Sequence, residues 1–72
     1  MIVVAEVAGT VWKIEKAVND ELSADTVVMI IESMKMEIPV EVEAPGRLAA
    51  LLVNEGDPVA EGDALFEVRP LV

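Results

Sequence analysis

Apolar residues come in short bursts, each four to seven positions long and fenced by turn formers, which predicts strands throughout. Residues 2–7 (IVVAEV) are apolar and β-branched and read as a first strand, broken at Gly9. In TVWKIEK the alternation puts Val11, Lys13 and Glu15 on one face and Trp12, Ile14 and Lys16 on the other. Both faces are mixed, and the expectation is that Trp12 is buried. VNDELSAD reads as turns around one short extended piece at Leu22. TVVMIIE is nearly continuously apolar from Val27 to Ile31, and MEIPVEVE follows as another strand. Pro39 has no N–H to give, so it belongs at a sheet edge or on a side that donates no ladder bond. Pro45-Gly46 marks a turn, and RLAALLV is too short between turns for the helix its Leu and Ala would favour. NEGDPVAEGD gives two turns around Val59, and ALFEV closes the pattern.

The two halves of the chain match at an offset of 37 residues. Glu6 aligns with Glu43, Gly9 with Gly46, and Asp20 with Asp57, while apolar positions pair Val11 with Leu48, Leu22 with Val59 and Met29 with Phe66. Asn19 stands where Gly56 stands and Asp25 where Gly62 stands; all four tolerate a left-handed backbone. The predicted turn positions are therefore Gly9, Asn19, Asp20, Asp25, Gly46, Gly56, Asp57, Gly62 and Asp63. Two similar units, about 1–35 and 36–72, imply an all-β fold. Two four-stranded antiparallel sheets pack face to face with quasi-two-fold symmetry as a flattened barrel or sandwich, because neither unit can bury its apolar side alone. Residues 1–72 are expected to form a single domain.

Composition narrows the chemistry. There is no Cys and no His, so disulfides and the usual zinc sites are excluded, and no nucleophile–base pair can be assembled around Ser23 or Ser33. The formal charge of −9 argues against nucleic acid or an anionic membrane as partner and fits docking onto basic surfaces. No apolar run approaches the ~20 residues of a membrane span. MIVVAEV lacks a basic leader and is interrupted at Glu6, so the expected location is cytoplasmic.

One segment breaks the turn rules. The repeat places residues 33–37 at the connection between the halves, yet this hairpin carries Met34-Lys35-Met36 in place of Gly, Asn or Asp. A lysine there is solvated, reachable from most directions and held by strands on both sides. Those properties suit an amine modified by another enzyme; a Schiff-base or general-base lysine wants burial or a neighbouring cation. The flanking methionines offer soft apolar contact surface, and Glu32 and Glu37 bracket the tip with negative charge. A solubilising tip lysine on an unmodified binding module is the alternative reading of the same residues.

Glu32-Ser33-Met34-Lys35-Met36 resembles the biotin-attachment motif of the biotinyl domains of biotin-dependent carboxylases and decarboxylases. The common form has Ala where this chain has Ser33, and Ser also occurs. The resemblance covers almost the whole chain: Gly56-Asp57, Val59, Gly62-Asp63 and the strand from Leu65 to Val68 look like the family's later pattern. Asn19-Asp20 and Asp25-Thr26 depart from its Gly-Asp pairs, and no segment resembles the protruding thumb of some bacterial carrier domains. In size and acidity the chain looks like the small free-standing biotinylated proteins of actinobacteria. The resemblance implies a non-catalytic carrier with biotin as its covalent cofactor, joined by an amide to Lys35. A biotin protein ligase would recognise Glu32, Ser33, Met34, Met36 and Glu37, with both methionines partly exposed. Biotin carboxylase and carboxyltransferase would be the further partners, the first loading carboxylate onto the biotin and the second removing it. The nearest related possibility is a lipoyl domain of a 2-oxo-acid dehydrogenase or of the glycine-cleavage system. Such domains typically show Asp-Lys-Ala or a similar trio where this chain has Met-Lys-Met.

Overall fold

The computed structural model describes residues 1–71; position 72, the last of the expected second half, lies outside the described residues. Eight strands form in chain order: β1 (Ile2–Val4), β2 (Gly9–Ile14), β3 (Glu21–Leu22), β4 (Val27–Ser33), β5 (Met36–Glu41), β6 (Gly46–Leu51), β7 (Pro58–Val59) and β8 (Ala64–Arg69). They make two four-stranded sheets, β1-β8-β6-β3 and β5-β4-β2-β7, with every pair antiparallel. No helix among the described residues is long and apolar enough to cross a membrane.

Each sheet draws strands from both halves of the chain. β1 and β3 of the first half pair with β8 and β6 of the second, and β5 and β7 of the second pair with β4 and β2 of the first. Neither half closes a sheet by itself, so the two units are interleaved as well as stacked. The core is aliphatic with one aromatic: Val11, Leu22, Val28, Met29, Ile31, Val42, Leu48, Leu65 and Phe66 are almost wholly buried, and none of the buried residues among those described is polar. Each burial named in the repeat has its counterpart, as in Met29 with Phe66.

The quasi-two-fold is most exact in the hydrogen bonds that tie turns to strands. The Asn19 N–H donates to the Leu48 carbonyl, and the Gly56 N–H to the Val11 carbonyl. Adding 37 to the numbers of the Ala17 N–H and the Asp20 carboxylate gives the Asn54 N–H and the Asp57 carboxylate, and both bonds form, at 2.9 and 2.8 Å. Asn19, Asp25, Gly56 and Gly62 all have positive φ, at 81°, 66°, 92° and 90°. The left-handed turns thus recur at equivalent places, filled by Asn and Asp in one half and by Gly in the other.

Three expectations change. Gly9 and Gly46 are not turn residues; they open β2 and β6. A Cβ on Gly9 would collide with the Glu32 backbone carbonyl, and one on Gly46 would meet Val68 and, at 2.8 Å, the Arg69 carbonyl oxygen. Glycine is required there for close strand approach. The first strand ends at Val4, well short of residue 7. Trp12 is 45% exposed. A β-bulge causes this: the register jumps between Val11 and Lys13, so Trp12 is an extra residue on β2 and the alternation that placed it inside is broken.

The strand connections fix the two ends of the barrel. Residues 5–8 and 60–63 cross between sheets at the end where β4 runs into β5, and residues 23–26 and 42–45 cross at the other end. Met1, whose amino group donates to the Val68 carbonyl at 2.7 Å, and the exit of β8 lie at that second end. The molecule is elongated, 38 Å along its longest axis against 18 Å across.

Candidate functional site

The β4–β5 hairpin is tighter than the expected connection over 33–37. Ser33 pairs directly with Met36, and Glu32 with Glu37, so only Met34 and Lys35 form the loop. Both have positive φ, 53° and 65°, the signature of a type I′ turn, whose twist matches that of paired strands. Neither residue is Gly, Asn or Asp. A left-handed backbone costs an ordinary L-residue on the order of 1–2 kcal/mol. The register of β4 with β5 and β2 over-determines the turn and holds both residues in it.

Lys35 is exposed at the apex. The ion pairs among the described residues join Arg47 to Glu21 and Arg69 to Glu67, and Lys35 takes part in neither. Met34 is 92% exposed and Met36 63%, while Met29 in the same β4 strand is wholly buried. Two apolar side chains thus flank the amine in open solvent, Met34 almost entirely so. Glu32 and Glu37 are exposed and stand directly opposite each other, a like-charge pairing that costs a few tenths of a kcal/mol up to about 1 in a sheet. Ser33 is half-buried at the end of β4. The six residues Glu32 to Glu37 that sequence reading put at the site are therefore contiguous along one hairpin. The turn residues Asn19, Asp20, Asp25, Gly56, Asp57, Gly62 and Asp63 lie in the loops between sheets and shape the barrel. Gly9 is the exception, because β2 presses against the Glu32 backbone at the base of the hairpin through its missing side chain.

The described residues hold no cluster of side chains suited to a metal ion. Ser23 Oγ and Thr26 Oγ1, 3.0 Å apart, lie at the other end of the barrel from Lys35. A covalently attached arm asks for little: a primary amine, free of ion pairs, on a backbone held by paired strands on both sides. Lys35 meets each requirement.

A small β-barrel that holds an exposed lysine at the apex of a strained two-residue hairpin has the form of a carrier domain. The model of the family described as biotin-requiring enzyme matches residues 1–68. The biotin/lipoyl attachment protein of Bacillus subtilis is 40% identical over 68 residues, covering 94% of this chain and 93% of that protein. The biotin carboxyl carrier protein of acetyl-CoA carboxylase from Chlamydia trachomatis is 43% identical over 50 residues, 69% of this chain and 30% of that one. Among solved structures, the crystal structure of Kluyveromyces lactis urea carboxylase superposes with a TM-score of 0.89 at 34% identity, over 94% of this chain and 6% of that one. The lipoyl domain of the 2-oxoglutarate dehydrogenase complex from Azotobacter vinelandii superposes with a TM-score of 0.75 at 32% identity, over 86% of this chain and 78% of that one. The chain belongs to the biotin-requiring attachment-domain family. Carrier domains of this family are not themselves catalytic, and biotin is their cofactor.

Proposed function

We propose that this chain carries biotin as an amide on Nζ of Lys35 and ferries carboxylate between a biotin carboxylase and a carboxyltransferase. The single observation behind the reading is the type I′ tip, which holds an unpaired, solvent-facing lysine between two exposed methionines on an otherwise compact barrel. Bound biotin supplies a ureido nitrogen that accepts and releases carboxylate. The chain's own residues present and tether. Lys35 must lose its proton before its amine can be acylated, and nothing on the hairpin does this for it, so the ligase supplies the base and the activated acyl group. Glu32, Ser33, Met34, Met36 and Glu37 form the surface that the ligase reads. Once loaded, the barrel keeps the arm at high local concentration near each active site that it visits. We place the work in the cytoplasm, where ligation can draw on ATP.

Membership in a family that includes both biotin and lipoyl attachment leaves the acyl group to the tip residues, and the Met-Lys-Met trio favours biotin. Incubation with a biotin protein ligase, ATP and biotin, followed by intact mass and a streptavidin blot, tests the reading. Wild-type chain is expected to gain one biotinyl group and Lys35→Arg none, with its fold intact. A chain that resists the biotin ligase but is lipoylated by a lipoate ligase overturns it. Labelling that survives Lys35→Arg moves the acceptor to Lys13 or Lys16.

A further inference from the structure

The repeat supplies an internal control for Trp12. Its equivalent at an offset of 37 is Ala49, and Ala49 sits in the same β-bulge: the β6–β8 register jumps between Leu48 and Ala50 as the β2–β4 register jumps between Val11 and Lys13. The fold therefore accepts alanine at this place. Two bulge residues opposite one partner both stay on the solvent side, and the half-exposed tryptophan, the only one in the chain, stands on the outer face of the sheet that carries the hairpin.

Its neighbours on that face also differ from their counterparts. Ile30 is paired with Pro39 across β4 and β5, where the opposite sheet pairs Glu67 with Ile2. One row nearer the tip, Glu32 is paired with Glu37, while the counterpart of Glu32 is Arg69, ion-paired to Glu67. The face thus carries an apolar strip, Trp12-Ile30-Pro39, with Lys13, the other bulge residue and the direct partner of Ile30, exposed beside Trp12. Glu32, Glu37 and Glu41 border it, and neither these three acids nor Lys13 has an ion-pair partner among the described residues. A large aromatic in an apolar strip with an acidic border is the composition of a contact patch, and its net charge, three acids against the one lysine, is complementary to a basic rim.

We propose that this face is the docking platform for the biotin protein ligase, with Trp12 as its anchor. The inference rests on the biotin reading above. The ligase is the occupant because of reach: it must bring its active site to the Lys35 amine itself, one side chain from the backbone, so its body meets the barrel surface that continues from the hairpin. Enzymes that act on the far end of a biotinyl arm can stand further off. The strip is continuous with the tip through the Glu32–Glu37 row, so one approach engages both.

Initial rates of biotin incorporation by a purified biotin protein ligase, with ATP and biotin, test this on wild-type chain and Trp12→Ala. A melting curve close to wild type is expected, since alanine already serves at position 49. KM for the chain is expected to rise about tenfold, with kcat within about twofold, as for loss of an interface anchor. A rise in KM smaller than about threefold overturns the platform, whereas a wild-type chain that takes no biotin overturns the biotin reading and the platform with it. Should Trp12→Ala melt early, wild-type chain made with 5-fluorotryptophan decides: its single fluorine resonance is expected to shift or broaden with saturating ligase, and an unchanged resonance overturns the proposal.

Discussion

Met34 and Lys35 occupy backbone conformations that an ordinary turn would give to Asn-Gly, and the chain keeps them there against the strain. A glycine at either place would relieve that strain, which is why the pair marks the candidate site. Met34→Gly is expected to raise stability by about 1 kcal/mol in urea titration, and to slow biotin incorporation because the exposed thioether is lost. Unchanged stability would mean that the turn is not left-handed in solution. The same reasoning covers Gly56, at φ 92° with open space around an added Cβ. Gly56→Val is expected to cost at least about 1 kcal/mol from backbone strain alone. The hairpin apex was legible in sequence because Met34 and Lys35 contradict the residue types that their turn favours. Trp12 was misread because strict alternation cannot register an extra residue, and nothing local in TVWKIEK marks the bulge.

At the level of elements, the strands were readable from short apolar bursts between turn formers, and the 37-residue repeat located the loops. The repeat did not disclose that β1 and β3 would pair with strands of the other half, because equivalent positions look alike whichever half supplies the partner strand. Nor did composition separate two uses of glycine. Gly56 and Gly62 supply positive φ, whereas Gly9 and Gly46 make room for a neighbouring backbone. Gly9 bears on function, since it lets β2 lie against Glu32 at the foot of the hairpin. Gly9→Ala would push a methyl group into the Glu32 carbonyl and, at 2.9 Å, the Ile31 side chain. It is expected to cost at least about 2 kcal/mol, more than Gly56→Ala, by thermal or chemical denaturation. A smaller loss at Gly9 than at Gly56 would contradict the close approach.

Across the whole molecule, the Lys35 tip and the Met1 end lie at opposite ends of a 38 Å body. Joining a second folded domain through a flexible linker to either terminus is therefore expected to leave the rate of biotin incorporation within about twofold of the free chain. A large loss would place the termini near the tip. The formal charge of −9 is borne by a surface whose arginines Arg47 and Arg69 lie on the sheet opposite the hairpin, leaving Glu32 and Glu37 uncompensated beside Lys35. The proposed acylation of Lys35 would remove one more positive charge from that tip.

The most direct test of the central claim is peptide-level mass spectrometry of the wild-type chain after exposure to biotin protein ligase, ATP and biotin. One biotinyl group is expected, on the peptide that contains Lys35, and none in Lys35→Arg. An unmodified chain, a lipoyl group at Lys35, or biotin on Lys13 or Lys16 would contradict it.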